Sequence, residues 1–343
     1  MKRLVLLIVV VALIAPLAFA GATKEKPMKI AFFVSDLGNV FHQAQFTEAK
    51  KYAMEKYGAE VFAFDGKSDS AVMTQNIDQV VAQGMDAATL HIWDQEAGRP
   101  GVLAALDKDI IMTAFFSPCL GPGFDTGIPT ARSDEAGVSF AMGAEMAKQW
   151  KAAHPDKPIV MVQVGWPNHT EVKSGRTDPF VKGVLSVDPK ATDLGCLSGE
   201  KGPDAAKQII LDLVTQRPDV NLIYSEASNL TVGTMAALTQ AGRGKMDNGK
   251  PLTEIVCSVD FDEVELKGVY DPNSSLKLSM GLPPKETARG RIDLIMDIKS
   301  GKVAKTSPKS QEFFYKAYNI SYWTMSRGDA VAWLNDQFGT DLK

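Results

Sequence analysis

Met28-Lys29-Ile30-Ala31-Phe32-Phe33-Val34 reads as a buried strand, and the residues around it decide the fold. A short apolar run that ends in a turn fits a strand covered on both faces. From Phe41 to Tyr57 the period becomes helical, with Phe46, Ala49, Ala53 and Tyr57 on one face. Gly58 stops this helix, as a left-handed residue at a helix C-terminus does. Glu60-Val61-Phe62-Ala63-Phe64 then gives the next strand.

The same alternation continues outward. Ser70 to Gln83 is helical and closed by Gly84, and strands follow at Ala87–Ile92 and Ile110–Phe115. A second series begins after about residue 133. Its helices are 135–150, 179–187, 205–215, 231–240 and 286–299, and its strands are 158–164, 221–224, 254–259 and 276–282. Regular β-α alternation implies parallel sheets covered by helices on both faces. Two series imply an α/β protein of two doubly wound parallel-sheet lobes. Ligands of such sheets sit beyond the carboxyl ends of the strands, here the cleft between the lobes. The Gly/Pro-rich stretch Ser117–Gly123 reads as a long loop, and no flexible linker separates the series. The chain is therefore expected to cross between lobes on ordered strands.

Composition agrees. The chain has 343 residues, 45% apolar and 23% charged, enough for two cores. A net charge of −4 gives no electrostatic reason for a nucleic-acid partner. Lys2 and Arg3, the apolar run Leu4–Ala15, Pro16 and Ala18-Phe19-Ala20 form a secretory signal peptide over residues 1–20. The run is too short for a comfortable membrane span. The mature chain is expected to be exported and soluble. Cys119, Cys196 and Cys257 allow at most one disulfide, and their spacing does not say which.

Catalytic motifs are absent. There is no glycine-rich dinucleotide or phosphate loop and no Gly-x-Ser-x-Gly elbow. His42, His91, His154 and His169 lack metal-ligand spacing, so neither metal nor cofactor is expected. Asp260, Asp262, Glu263 and Glu265 follow a strand end and read as a solvated helix start. An exported α/β chain of this kind favours binding over catalysis.

Ile30 to Phe41 resembles the first strand and loop of ribose/galactose-type periplasmic sugar-binding proteins of ABC importers. Further matches run in order along the mature chain: Gln79–Ala87, Ser133–Gly137, Arg176–Phe180, Ser258–Asp260 and Leu282-Pro283. The resemblance implies two lobes joined by three hinge strands, residues 28–133 plus 282–312 and residues 134–281 plus 313–343. It also implies a periplasmic monomer that closes on a small neutral ligand and delivers it to an ABC permease, with a chemoreceptor as a further partner. Asn39 and Phe41 match the family's polar contact and aromatic platform, Arg176 its ligand arginine and Asp260 its ligand aspartate.

Departures from that pattern are as informative. Phe115-Phe116 stands where the family has Asp-Arg, Ala227 where it has asparagine, Gly281 where it has glutamine, and His42 replaces an aromatic. Ribose would be left with unpaired hydroxyls, at about 1–3 kcal/mol each. A different sugar, a polyol or a sugar-like ligand is expected. A nucleoside-like or signalling molecule, and less so an exported enzyme, stay open. Trp93 and Trp166 at strand ends extend the aromatic wall, and Asp36, His91, Asp94, Asn168 and His169 are further polar candidates.

Overall fold

The computed structural model describes residues 26–343, so the signal peptide expected at residues 1–20 lies outside the described residues. The first lobe opens with β1 (Lys29–Val34), α1 (Val40–Tyr57), β2 (Glu60–Asp65), α2 (Ser70–Ala82), β3 (Ala87–Leu90), α3 (Gln95–Asp107), β4 (Ile111–Phe115) and β5 (Thr130–Asp134). The second contains α4 (Glu135–Ala153), β6 (Val160–Gly165), α5 (Asp178–Val187), β7 (Thr192–Ser198), α6 (Pro203–Gln216), β8 (Leu222–Ser225), α7 (Ser228–Gln240), β9 (Ile255–Asp260), α8 (Glu263–Tyr270) and β10 (Leu276–Gly281). The chain then forms α9 (Pro284–Lys299), β11 (Glu312–Lys316), β12 (Tyr318–Ser321) and α10 (Arg327–Phe338).

Local chemistry sets the helix ends. The Asn39 side chain accepts from the Phe41 N–H at the start of α1, and Gly58 at φ 63° closes that helix on Ala53 and Met54 carbonyls. Asp69 and Asp94 cap α2 and α3 in the same way. Glycines also let α4 and α5 touch. A Cβ on Gly143 would fall 2.2 Å from the Phe180 carbonyl oxygen, and one on Gly183 would fall 2.1 Å from that of Phe140.

Among the described residues each lobe has a six-stranded main sheet, ordered β11-β5-β4-β3-β1-β2 and β12-β10-β9-β8-β6-β7. The first is parallel throughout. The second is parallel except at its edge, where β12 runs antiparallel to β10. The expectation of a wholly parallel second sheet is corrected there, because β12 arrives from the first lobe without a crossover helix. Three passages join the lobes. β5 runs directly into α4, β10 reaches α9 through Leu282 and Pro283, and β11 continues into β12 through Ala317 alone. The sequence-based division at 312/313 cuts through β11, whose pairing with β5 keeps the chain in the first sheet to Lys316.

Ile30, Phe32 and Phe33 of β1 are fully buried. Beside them lies a fully buried Arg291, its guanidinium 3.7 Å from the Phe32 ring centre and 4.5 Å from that of Phe115. It donates to the Phe33 and Thr89 carbonyls and to the Thr89 hydroxyl. All three cysteines are free thiols; Cys119 and Cys257 are buried. Among the described residues no helix is long and apolar enough to cross a membrane.

Candidate functional site

The carboxyl ends of both sheets converge on one cavity of about 430 Å³. Its first-lobe wall comes from the loops after β1, β3 and β4, and its second-lobe wall from those after β6, β8 and β9. This is where open α/β sheets hold ligands.

Arg176 lies in a π-helical turn, Lys173–Thr177, that leads into α5. Such turns widen a helix locally and re-aim its side chains. The guanidinium is buried and forked onto Glu135, the first residue of α4, with Nε donating to Oε2 at 2.7 Å and Nη2 to Oε1 at 3.2 Å. Nη1 donates to the Glu226 carbonyl at 2.6 Å. Burial opposes its charge, but Glu135 outweighs burial and holds Arg176 protonated well above the usual arginine range.

Asp260 ends β9 and faces the same cavity, with φ at 93°; Phe116, just past β4, has φ 67°. Side chains seldom adopt this region, and such strain clusters at ligand sites. Burial raises the Asp260 carboxyl above the usual carboxylate range, and Arg176 draws it partly back. The Ser228 N–H and hydroxyl lie 3.4 Å from Oδ2, the long limit of a hydrogen bond.

Aromatic and imidazole rings form the rest of the wall. Ring centres are 5.2 Å apart for Phe41 and His42, 5.2 Å for His42 and His91, and 5.6 Å for His91 and Phe115. His169, from the loop after β6, reaches across to Phe116 at 5.8 Å and Trp93 at 6.5 Å. Burial lowers His42 to about 4 and His169 to about 4, with Arg291 adding to the first and Arg176 to the second. His91 is pushed well below its ordinary value by burial and then by His42. All three are neutral at pH 7. His91 Nδ1 and His169 Nε2 are buried without a partner among the described residues.

Beneath the wall, the Glu226 carboxylate accepts from the Thr177 hydroxyl and, at 3.3 Å, from the Trp166 N–H. A Cβ on Gly165 would fall 1.7 Å from Glu226 Oε2. One ion pair spans the lobes, Arg132 of β5 donating to Glu171 at 2.5 Å, and the same guanidinium holds Glu312 of its own sheet at 2.6 Å.

Of the residues singled out in the sequence, Asp36, Asn39, Phe41, His42, Trp93, Phe115, Phe116, Trp166, Arg176, Ala227 and Asp260 line the cavity, with His91 and His169. Gly281 does not. A Cβ there would meet Ile320 and Trp333 behind the sheet, and Leu282 lines the cavity instead. Asp94 caps α3. Glu265 departs from the reading of a solvated helix start: it is buried and accepts from the Ser258 and Ser279 hydroxyls. Glu135 was missed as a site residue; its position opening α4 next to a crossover strand was the available signal. Among the described residues no group of three or more His, Cys, Asp or Glu side chains could hold a metal ion.

Comparison with known proteins accords with this geometry. The D-ribose/D-allose-binding protein of Pseudomonas aeruginosa is 23% identical over 299 residues, covering 82% of this chain and 91% of that one. A galactofuranose-binding protein superposes with a TM-score of 0.72 at 18% identity, covering 92% of this chain and all of the other. An ABC transporter periplasmic solute-binding protein of Actinobacillus succinogenes with bound D-allose gives 0.67 at 18% identity, covering 87% and 98%. The model of the periplasmic binding protein domain matches residues 30–302. With that match spanning five strands of each sheet and the cavity between them, the chain belongs to the periplasmic binding protein family.

Proposed function

We propose that the chain is the periplasmic solute-binding component of an ABC importer and that it takes a sugar between its lobes. The observation that carries this reading is that Arg176 and Asp260 line one aromatic-walled cavity. A guanidinium donates and a carboxylate accepts, so together they bind adjacent hydroxyls of one ring. Phe41, Phe116, Trp93 and Trp166 offer flat surfaces to the apolar faces of that ring. The arginine has three of its five N–H donors engaged by protein, which leaves one on each terminal nitrogen. The sugar names carried by the relatives support the ligand class, and the ABC-transporter relative supports the delivery partner. The passages at Asp134, Leu282-Pro283 and Ala317 are the hinge about which the lobes close.

A thermal-shift screen of ligand-freed protein against sugars and polyols tests the reading. Ligand at about a thousand times its dissociation constant adds roughly 4 kcal/mol, so a true ligand raises Tm by several degrees. No shift with any sugar or polyol, alongside a shift with another class, would overturn it.

A further inference from the structure

Among the described residues the cavity is lined by four carboxylates, Asp36, Glu135, Asp260 and Asp262, and by one cation, Arg176. Glu135 already neutralises Arg176 through the two-point fork. Two of the remaining acids are served locally. Asp36 accepts from the Gly38 N–H at 2.7 Å and the Ser68 hydroxyl at 2.9 Å, and Asp262 accepts from the Glu265 N–H at 2.9 Å.

Asp260 is different. It is buried, Oδ2 has protein donors only at 3.4 Å, and among the described residues no protein donor reaches Oδ1. A buried carboxylate without close donors is costly unless something supplies hydrogen bonds and opposite charge. His91, on the first-lobe side of the cavity, is buried and neutral, so it supplies no compensating positive charge. Trp93, Trp166 and Phe116 complete the wall, and aromatic rings attract cations.

We infer that the ligand of this cleft is an amino sugar whose ammonium group sits against Asp260. The inference rests on the sugar reading of the site and narrows it. A hydroxyl brings Asp260 one donor and no charge, whereas an ammonium brings three donors and the missing positive charge. Once the Arg176–Glu135 pair cancels, the lining carries only negative charge, which also turns away sugar acids and sugar phosphates.

The test is calorimetric titration of protein freed of co-purified ligand by unfolding and refolding. The probes are D-glucosamine, D-galactosamine and D-mannosamine, their parent hexoses, their N-acetyl derivatives and the corresponding uronic acids. At pH 7 at least one amino sugar is expected to bind about tenfold or more tighter than its parent. N-acetylation should abolish the preference, and raising the pH through the amine's pKa should shrink it. In Asp260→Asn the ratio of amine to parent affinity should fall towards one. The wild-type pH profile decides the matter alone if that variant does not fold. Parent hexoses or uronic acids binding as tightly as the amines would overturn the ammonium assignment and leave the sugar reading standing. No binding by any of these hexoses would overturn the ammonium assignment, while the sugar reading stands or falls on the wider screen of sugars and polyols.

Discussion

Arg176 donates to both carboxylate oxygens of Glu135, at 2.7 Å and 3.2 Å, and this pair ties the floor of the cavity to the first residue beyond a crossover strand. Both partners are buried, at 8% and 5% exposure. The guanidinium plane is therefore fixed before a ligand arrives, and its two free N–H groups keep a set direction.

Removing Glu135 leaves a buried cation unpaired. Glu135→Ala should destabilise the protein by about 3–5 kcal/mol, read as a lower urea midpoint. Glu135→Gln keeps an acceptor and should lose less. Equal stability of Glu135→Ala and wild type would show that the pair does not form in solution.

Arg176→Lys keeps the charge but not the fork. A lysine cannot serve both Glu135 oxygens, the Glu226 carbonyl and a ligand at once. Ligand affinity should fall more than about tenfold, corresponding to roughly 1.4 kcal/mol or more. Calorimetry with the ligand found in the thermal screen checks this, and unchanged affinity would place the arginine outside the binding contacts.

The Arg132–Glu171 bridge holds the lobes together at one side of the cleft. In Glu171→Gln, Arg132 retains Glu312, so no cation is stranded. The ligand-free variant should show a larger radius of gyration by small-angle scattering, and ligand should restore the wild-type value. A radius matching wild type without ligand would remove this bridge from the closing contacts.

Histidine titration gives an acid-side signature. An unfolded histidine takes its proton near 6.5, and folded His42 near 4. Between these values the unfolded chain binds more protons, so stability rises with pH there. The neutral ring's contribution is complete above 6.5 and is lost as pH falls towards 4, with a slope of up to about 1.4 kcal/mol per pH unit. His169 acts in the same direction. NMR titration should give midpoints for both far below 6.5. His42→Asn should show a shallower loss of stability than wild type over the same window.

The alternation of strands and helices was legible because its apolar runs are strong: Lys29–Val34 and Val160–Gly165 are nearly all buried. The segments that escaped have weak patterns. β7 is a half-exposed edge strand with a register shift opposite Met161–Gln163, and no period survives in it. The helix α3 contains Pro100 and two close-packed glycines, Gly98 and Gly101. Thr130–Asp134 is too polar to read as a strand, although it pairs on both sides. Cavity residues at strand ends were legible because a parallel sheet brings its carboxyl ends together. Gly281 was misplaced because aligned position cannot show which face of a strand end meets the cavity. Leu282, one residue on, lies on that face.

The passage through Ala317 governs the order in which the molecule can be completed. β11 is the sixth strand of the first sheet, and α9 supplies Ala288, Ile292 and Ile295 to that lobe's core. Both come from the far end of the chain, so the lobe that begins at the amino end stays open until residues near 316 are available. During synthesis, the first lobe is finished only after all but the last strand and helix of the second have been made. Contacts between such distant residues slow folding and lengthen the time for which sheet edges are bare. A fragment ending at Gly281 should therefore expose apolar surface and aggregate, although it contains every strand of the first sheet except one.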